Sequence, residues 1–121
     1  MKNNVVLILA FITTIFSACA QQEDTYKILE VQTYKDSITN GTVQLVDVRT
    51  PEEYSEGHIE YAKNIDFFSE DFEDQFNKLD KNQPVYIYCK SGNRSGKAGK
   101  KLKDMGFHHI YDLKGGILNY K

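Results

Sequence analysis

The stretch Pro84–Gly96, "PVYIYCKSGNRSG", joins the strongest strand signal of the chain to a loop of small and hydrogen-bonding residues. The apolar run before Cys89 is rich in β-branched and aromatic residues and follows the turn "DKNQ", which predicts a buried strand. From Asn93 to Met105 the spacing of apolar residues predicts a helix, and Gly106 ends it. A cysteine therefore lies between the end of a strand and the start of a helix.

The rest of the chain repeats this alternation of strand and helix patterns. Thr50, Pro51 and Glu53 form a capping box with proline at the first helical position, and Ser69 is predicted to cap the next helix. Further elements are predicted as strands at "YKILEV", Gln44–Arg49, around Asn64–Phe67 and around Ile110–Leu113, and as a first helix at "VQTYKDSITNG". Strands that alternate with helices need right-handed crossovers, which predicts a mostly parallel α/β sheet with helices on both faces. Ligands of such sheets bind beyond the carboxyl ends of the strands, where Cys89 lies.

The N-terminus has the features of an export signal. A basic Lys2 precedes an uncharged apolar run, Val5–Ala18, which is shorter than the roughly 18 residues needed to span a bilayer. The ending "FSAC" resembles the lipobox of bacterial lipoproteins, which implies that Cys19 is lipidated and becomes the first residue of the mature chain. An uncleaved anchor and a plain signal peptide are the alternatives. The predicted organisation is a lipoprotein signal peptide at 1–18, a tether at 19–25 and a single domain at 26–121.

By this resemblance the chain is exported and held by lipid on a bacterial cell membrane, facing the periplasm or the cell exterior. Removal of residues 1–18 takes away only Lys2, which leaves 14 of the 15 Lys and Arg against all 17 Asp and Glu. A mildly acidic domain is not typical of nucleic-acid binding, so no such partner is expected. The two cysteines could form a disulfide, but a lipidated Cys19 leaves Cys89 as a lone thiol, either a silent core residue or a reactive one.

Three effects in the loop after Cys89 favour a thiolate. Inward-turned loop amides form an anion-binding nest, and Gly92 lets the backbone come close. The following helix points its positive dipole end at the same place, and Lys90 and Arg94 add full charges. Such surroundings lower a cysteine pKa from about 8.5 to roughly 3.5–7.5, so the loop predicts a reactive cysteine.

Other readings of the loop remain open. An isolated cysteine is often a small buried hydrophobic residue. A loop that only captures an anion or a partner would make a non-catalytic binding module. A protein-phosphatase loop has five residues between its cysteine and arginine, whereas four separate Cys89 from Arg94, and no aspartate stands out as a general acid. The tighter ring suits one added atom better than a phosphoryl group, which makes a phosphatase or an arsenate reductase-like enzyme the weaker alternative.

Three motifs in order resemble the rhodanese-like sulfurtransferases. "CKSGNRS", Cys89–Ser95, looks like the active-site loop of that family, and "DVRTPEEYSEGHIEYAKNI", Asp47–Ile65, looks like its N-terminal signature. "LKGGILNY", Leu113–Tyr120, resembles its closing Gly-Gly-Ile element, although Tyr120 stands where the family usually has tryptophan. The resemblance covers essentially everything from Tyr26 to the end. It implies a single-domain, mostly parallel, five-stranded α/β sheet.

The resemblance also implies a chemistry. The Cys89 thiolate attacks the outer sulfur of a donor such as thiosulfate, expels sulfite and becomes a persulfide. A thiol, a protein acceptor of unknown identity or cyanide then removes the sulfur, and no metal or organic cofactor is expected. The implied partners are thus a small sulfur-donor anion and a thiol acceptor. The residues implied to hold the sulfur or steer the donor are Lys90, Ser91, Gly92, Asn93, Arg94 and Ser95.

The remaining polar residues of interest are predicted to have structural roles. His58 is expected to pack or hydrogen-bond at its helix end, and Asp47 and Arg49 are expected to pair with loop or backbone groups. Adjacent His108 and His109 point to opposite sides of an extended chain, which is poor geometry for a metal site.

Overall fold

The computed structural model describes residues 23–121, which form one five-stranded sheet with helices on both faces. The predicted signal peptide and Cys19 lie outside the described residues, and the tether and domain boundaries stay predictions. None of the helices within 23–121 is long and apolar enough to cross a membrane. The elements in chain order are β1 Thr25–Leu29, α1 Val31–Ile38, β2 Gln44–Asp47, α2 Pro51–Glu56, β3 Lys63–Asn64, α3 Phe72–Phe76, β4 Val85–Tyr88, α4 Asn93–Asp104 and β5 His109–Leu113, followed by a 3-10 turn at Ile117–Asn119.

The sheet has the strand order β1-β5-β4-β2-β3, and every neighbouring pair runs parallel. The predicted α/β fold is therefore confirmed. Because all strands point the same way, their carboxyl ends share one edge of the sheet. The strand β4 is central, so Cys89 lies in the middle of that edge.

The two faces of the sheet bury separate apolar cores, as the alternation of side chains along a strand requires. Val46 and Ile87 face one core, which α3 and α4 cover, and Leu45 and Tyr88 face the other, which α1 and α2 cover. Fully buried aromatic residues fill both cores: Tyr34, Phe72, Phe76, Tyr88 and Phe107. Tyr120 is partly buried against the second core.

The strand β2 ends earlier than the sequence predicts. The Asp47 carboxylate accepts a hydrogen bond from the backbone N–H of Arg49 at 2.9 Å, which turns the chain away from the extended ladder. The predicted capping box of α2 is present, because the Thr50 hydroxyl accepts from the Glu53 N–H at 3.3 Å. The proline-started helix then ends at Gly57, as predicted.

Two further predictions of local structure are wrong. The strand expected around Asn64–Phe67 is only Lys63–Asn64, because the N–H groups of Ile65 and Phe67 donate to the carbonyls of two consecutive residues, Asp47 and Val48, which breaks the regular ladder. Ser69 does not cap α3, whose first residue is Phe72. The Ser69 hydroxyl donates to the Asp71 carboxylate instead, so it closes the preceding turn.

Helix α4 packs so closely on β1 that one of its glycines has no room for a side chain. A Cβ at Gly99 would lie 2.1 Å from Cε2 of Tyr26, whereas a Cβ at Gly96 would meet the Tyr26 hydroxyl at an ordinary 3.9 Å. We expect Gly99→Ala to lower the free energy of unfolding by about 1–3 kcal/mol through overpacking.

The matched control is Gly96→Ala in the same helix, which we expect to raise the free energy of unfolding by about 0.5–1 kcal/mol through helix propensity. Urea unfolding of both variants measures the difference. Equal stabilisation by the two alanines would show that β1 does not press on α4 as described.

Candidate active site

The sulfur of Cys89 lies at the centre of the loop that joins β4 to α4. The backbone N–H of Gly92 donates to Sγ at 3.1 Å, and Sγ lies 3.3 Å from the Ser95 hydroxyl oxygen. Gly92 has φ +109°, a left-handed conformation that favours glycine and brings its amide back over the cysteine. Cys89 is only 1% exposed, but its sulfur faces polar groups on the loop side.

The structure brings together only part of the predicted sulfur-binding loop. Gly92 and Ser95 contact Sγ directly. Lys90, Ser91 and Asn93 are exposed, and no hydrogen bond joins them to the sulfur within residues 23–121. These contacts are made to Sγ itself, so the ring of amides around a guest sulfur stays a prediction.

Arg94 has a side-chain partner that was not predicted from the sequence. Its guanidinium makes a bidentate ion pair with Glu53, with Nη1–Oε1 at 2.5 Å and Nη2–Oε2 at 3.0 Å. The hydrogen bond from Arg94 lowers the pKa of Glu53 to about 2, and the same bond raises the pKa of Arg94. The capping-box residue of α2 therefore also ties that helix to the cysteine loop. No short window of the sequence signals this pair, because it depends on the adjacency of β2 and β4 in the sheet.

A second arginine beside the loop is also neutralised. Arg49 Nη2 bonds to Asp47 Oδ2 at 2.6 Å and to the Gly57 carbonyl at 2.7 Å, and both side chains are buried. Asp47 and Arg49 have the predicted structural role: they pair with each other and with backbone groups.

The histidines occupy local structural positions. His58 Nδ1 lies 2.9 Å from the Tyr54 carbonyl and its ring stacks on Tyr54, as expected for a residue at a helix end. His108 Nδ1 lies 2.7 Å from Asp24 Oδ1. Within the described part of the chain, no group of His, Cys, Asp and Glu side chains is arranged to hold a metal ion.

The closing Gly-Gly-Ile segment supports the cysteine loop from behind. The N–H groups of Ile117 and Leu118 donate to the carbonyls of Cys89 and Lys90 at 2.9 and 3.2 Å. A Cβ at Gly116 would lie 2.3 Å from the Lys90 carbonyl oxygen, so only glycine permits this approach. The backbone polar groups at the start of the loop are thereby satisfied without the loop's own amides.

A buried carboxyl group lies close to the same site. The Tyr26 hydroxyl donates to Asp112 Oδ2 at 2.5 Å, while Oδ1 is buried without a hydrogen-bond partner among the described residues. Burial raises the pKa of Asp112, and burial together with Asp112 raises the pKa of Tyr26. Neither residue stands out in the sequence, because each is an ordinary member of a strand pattern.

Comparison with known proteins places these features in one family. The model of the rhodanese-like domain matches residues 30–121. The chain is 36% identical over 119 residues to the uncharacterized protein YqhL of Bacillus subtilis strain 168, which covers 97% of this chain and 91% of that protein. It is 32% identical over 92 residues to the thiosulfate sulfurtransferase GlpE of Ectopseudomonas mendocina strain ymp, which covers 76% and 82%. A rhodanese-like domain protein from Staphylococcus aureus has a crystal structure that superposes with a TM-score of 0.69 at 32% identity, over 78% of this chain and 91% of that one.

Other relatives share the domain as a small part of a longer chain. The tRNA uridine(34) hydroxylase of Pelagibacter ubique strain HTCC1062 is 40% identical over 77 residues, which are 63% of this chain and 26% of that protein. About three quarters of that protein therefore lies outside the match.

The pairing of Glu53 with Arg94 predicts a pH-dependent stability. Because the folded-state pKa is lowered from 4.5 to about 2, the stabilisation is present above pH 4.5 and is lost as the pH falls toward 2. We expect Glu53→Gln, which keeps the capping-box hydrogen bonds, to lower the free energy of unfolding at pH 7 by about 1 kcal/mol, the size typical of a partly exposed pair.

Urea unfolding of the wild type and the variant at pH 7 and near pH 2 measures this difference. Glu52→Gln is the matched control, because it removes the same charge from the same exposed helical turn without touching Arg94. If both variants show the same pH dependence, the ion pair contributes nothing beyond the helix dipole.

Proposed function

The chain belongs to the rhodanese-like domain family, and from that premise we propose that it is a sulfurtransferase that carries sulfane sulfur as a persulfide on Cys89. The observation that carries the proposal is the position of Sγ at the carboxyl end of the central strand, under the Gly92 N–H at 3.1 Å. The 32% identity to a thiosulfate sulfurtransferase over most of both chains supports it. The family also contains the tRNA hydroxylases, whose match covers only a small part of their length.

In the first half-reaction the Cys89 thiolate attacks the outer sulfur of a donor such as thiosulfate. A bond forms between Sγ and that sulfur, the donor sulfur–sulfur bond breaks, and sulfite leaves with the electron pair. The Gly92 N–H, already aimed at Sγ, stabilises the anionic sulfur without reorganisation during the reaction. The positive end of helix α4 acts in the same direction.

In the second half-reaction the sulfur passes to an acceptor. A thiolate, a protein thiol or cyanide attacks the terminal sulfur of the persulfide, and Cys89 leaves as the thiolate with which the cycle began. Two half-reactions through a covalent intermediate predict ping-pong kinetics. The first step raises Cys89 to the persulfide level and the second returns it to the thiolate, so the complete cycle needs only the donor and the acceptor.

Of the two cations expected to steer the anionic donor, Lys90 is free to attract it, whereas Arg94 is held in an ion pair. Lys90 is exposed at the loop and makes no ion pair with a described residue, so its full charge faces solvent. Arg94 is already paired with Glu53, which weakens the field that it adds. Ser91 and Asn93 are exposed beside Lys90 and are proposed to contact the donor through their polar groups.

We also propose that residues 1–18 are removed as a lipoprotein signal peptide and that Cys19 is lipidated, which places the domain on the outer face of a bacterial membrane. The support is the sequence pattern alone. In bacteria fed an alkyne fatty acid, we expect the full chain to be labelled and to fractionate with membranes, and Cys19→Ala to lose both properties. Cys89→Ser is the matched cysteine control and keeps the label. A labelled Cys19→Ala would contradict the proposal.

The sulfur-transfer proposal is tested by the mass of the tryptic peptide that contains Cys89. Cleavage after Lys81 and Lys90 gives the peptide 82–90, which excludes Cys19. After exposure to thiosulfate we expect this peptide of the full chain to gain one sulfur atom. Cys89→Ser, whose hydroxyl can still accept from Gly92, is expected to stay folded and to lose all sulfur transfer to cyanide.

Sulfur transfer that persists in Cys89→Ser would exclude Cys89 as the nucleophile. Wild-type peptide that never gains sulfur would favour a binding module instead. Hydrolysis of an aryl phosphate without sulfur loading would favour the phosphatase alternative.

A further inference from the structure

The charges around the Cys89 loop nearly cancel, although the sequence places two cations in it. The Arg94–Glu53 pair is bidentate, and the two side chains are only 20% and 27% exposed, so salt screens the pair less than an open surface pair. Since the pKa of Glu53 is about 2, this carboxylate stays ionised at every physiological pH. Arg94 therefore presents no net positive charge to a ligand at the loop.

The other charged groups near the loop do not restore a positive field. The buried Arg49 is neutralised by Asp47, and the buried Asp112 carboxyl group can only add negative charge. Lys90 in the loop and Lys97 one turn along α4 have no ion pair with a described residue, and their exposed ammonium groups are screened by water and salt. A donor with two negative charges loses hydration when it enters such a site. It gains little electrostatic stabilisation in return.

We propose that Glu53 is a specificity-determining residue, which by neutralising Arg94 disfavours dianionic donors such as thiosulfate and favours organic hydropersulfides. This inference rests on the proposed function. Glu53 is separated from the sulfur by Arg94, so it acts through the field at the loop and takes no part in bond making. The neutral pair of Glu53 and Arg94 and the single N–H at Sγ together suit a donor whose leaving group carries no second charge.

The chemistry of the favoured donor balances without any further reagent. The Cys89 thiolate attacks the terminal sulfur of R–S–SH, the new sulfur–sulfur bond forms at Sγ, and the donor bond breaks to release R–S⁻. The proton stays on the transferred sulfur. One thiolate is consumed and one is released, so the total charge in the site is unchanged, whereas thiosulfate brings two negative charges into the same space.

The test compares two donors on the full-length protein: sodium thiosulfate and the hydropersulfide of N-acetylcysteine methyl ester, which has no carboxylate. The second-order rate constant for sulfur loading is read from the mass of the tryptic peptide 82–90. We expect Glu53→Gln to raise the thiosulfate constant about tenfold, at the low end of local field effects, and to leave the hydropersulfide constant roughly unchanged. The gain should fade in about 1 M salt, where the Debye length is roughly 3 Å.

Three variants control the interpretation. Glu52→Gln removes an equal charge from the same helix and should leave the ratio of the two constants at its wild-type value. Arg94→Gln leaves Glu53 unpaired, so it should lower the thiosulfate constant more than the hydropersulfide constant even if Glu53→Gln folds poorly. Glu53→Gln with Arg94→Gln is again neutral at this position and should return the ratio to that of the wild type.

The inference and the proposed function fail in different ways. If neither donor loads sulfur on Cys89 in any variant, the proposed function is wrong. If both donors load it but the ratio is the same in Glu53→Gln, Arg94→Gln and the wild type, sulfur transfer stands and Glu53 does not set donor choice. A wild-type protein that prefers thiosulfate would also overturn the inference.

Discussion

The Gly92 amide reaches the Cys89 sulfur because the loop turns through a left-handed glycine just before α4 begins. This turn requires that the backbone on either side be fixed, and the fold fixes it from two directions. The central strand β4 holds the cysteine, while Ile117 and Leu118 take up the carbonyls of Cys89 and Lys90 from behind. The helix that follows then starts with its positive end toward the sulfur. The loop of four residues between β4 and α4 thus becomes a directed hydrogen-bond donor.

Burial of Cys89 would serve two opposing requirements of the proposed persulfide carrier. A thiol that is 1% exposed is protected from the stepwise oxidation that follows thiolate character and exposure. That protection matters most in the exported location proposed here. Among the described residues there is no second cysteine that could protect Cys89 by thiol–disulfide exchange. A buried sulfur must nevertheless meet its donor, so the exposed loop residues Ser91 and Asn93 are the part of the wall that a small ligand can approach.

The sequence was sufficient for features set by local pattern and by the rules of parallel sheets. The capping box of Thr50 and Glu53 is read from four adjacent residues, and the position of Cys89 follows from strand direction. The Glu53–Arg94 pair joins residues 41 positions apart, and the bond from Tyr26 to Asp112 joins residues 86 apart. Such contacts depend on strand order and on side-chain reach, which one sequence does not encode in any short window. The wrong prediction of a cap at Ser69 has a local cause, because the Ser69 hydroxyl donates to the nearby Asp71 carboxylate.

The segment from Asp47 to Glu53 gives the site its electrostatic character. It begins at the end of β2, next to the central strand, so two of its acids, Asp47 and Glu53, lie beside the cysteine loop and each neutralises one arginine. Full charges that are paired in this way fix geometry but add little long-range field. The stabilisation of anionic sulfur is then left to short-range dipoles, the Gly92 N–H and the start of α4. Dipoles act on the single atom that they touch, whereas free arginines would also attract the rest of an anionic donor. We therefore expect such a site to recognise the sulfur itself more than the group that delivers it.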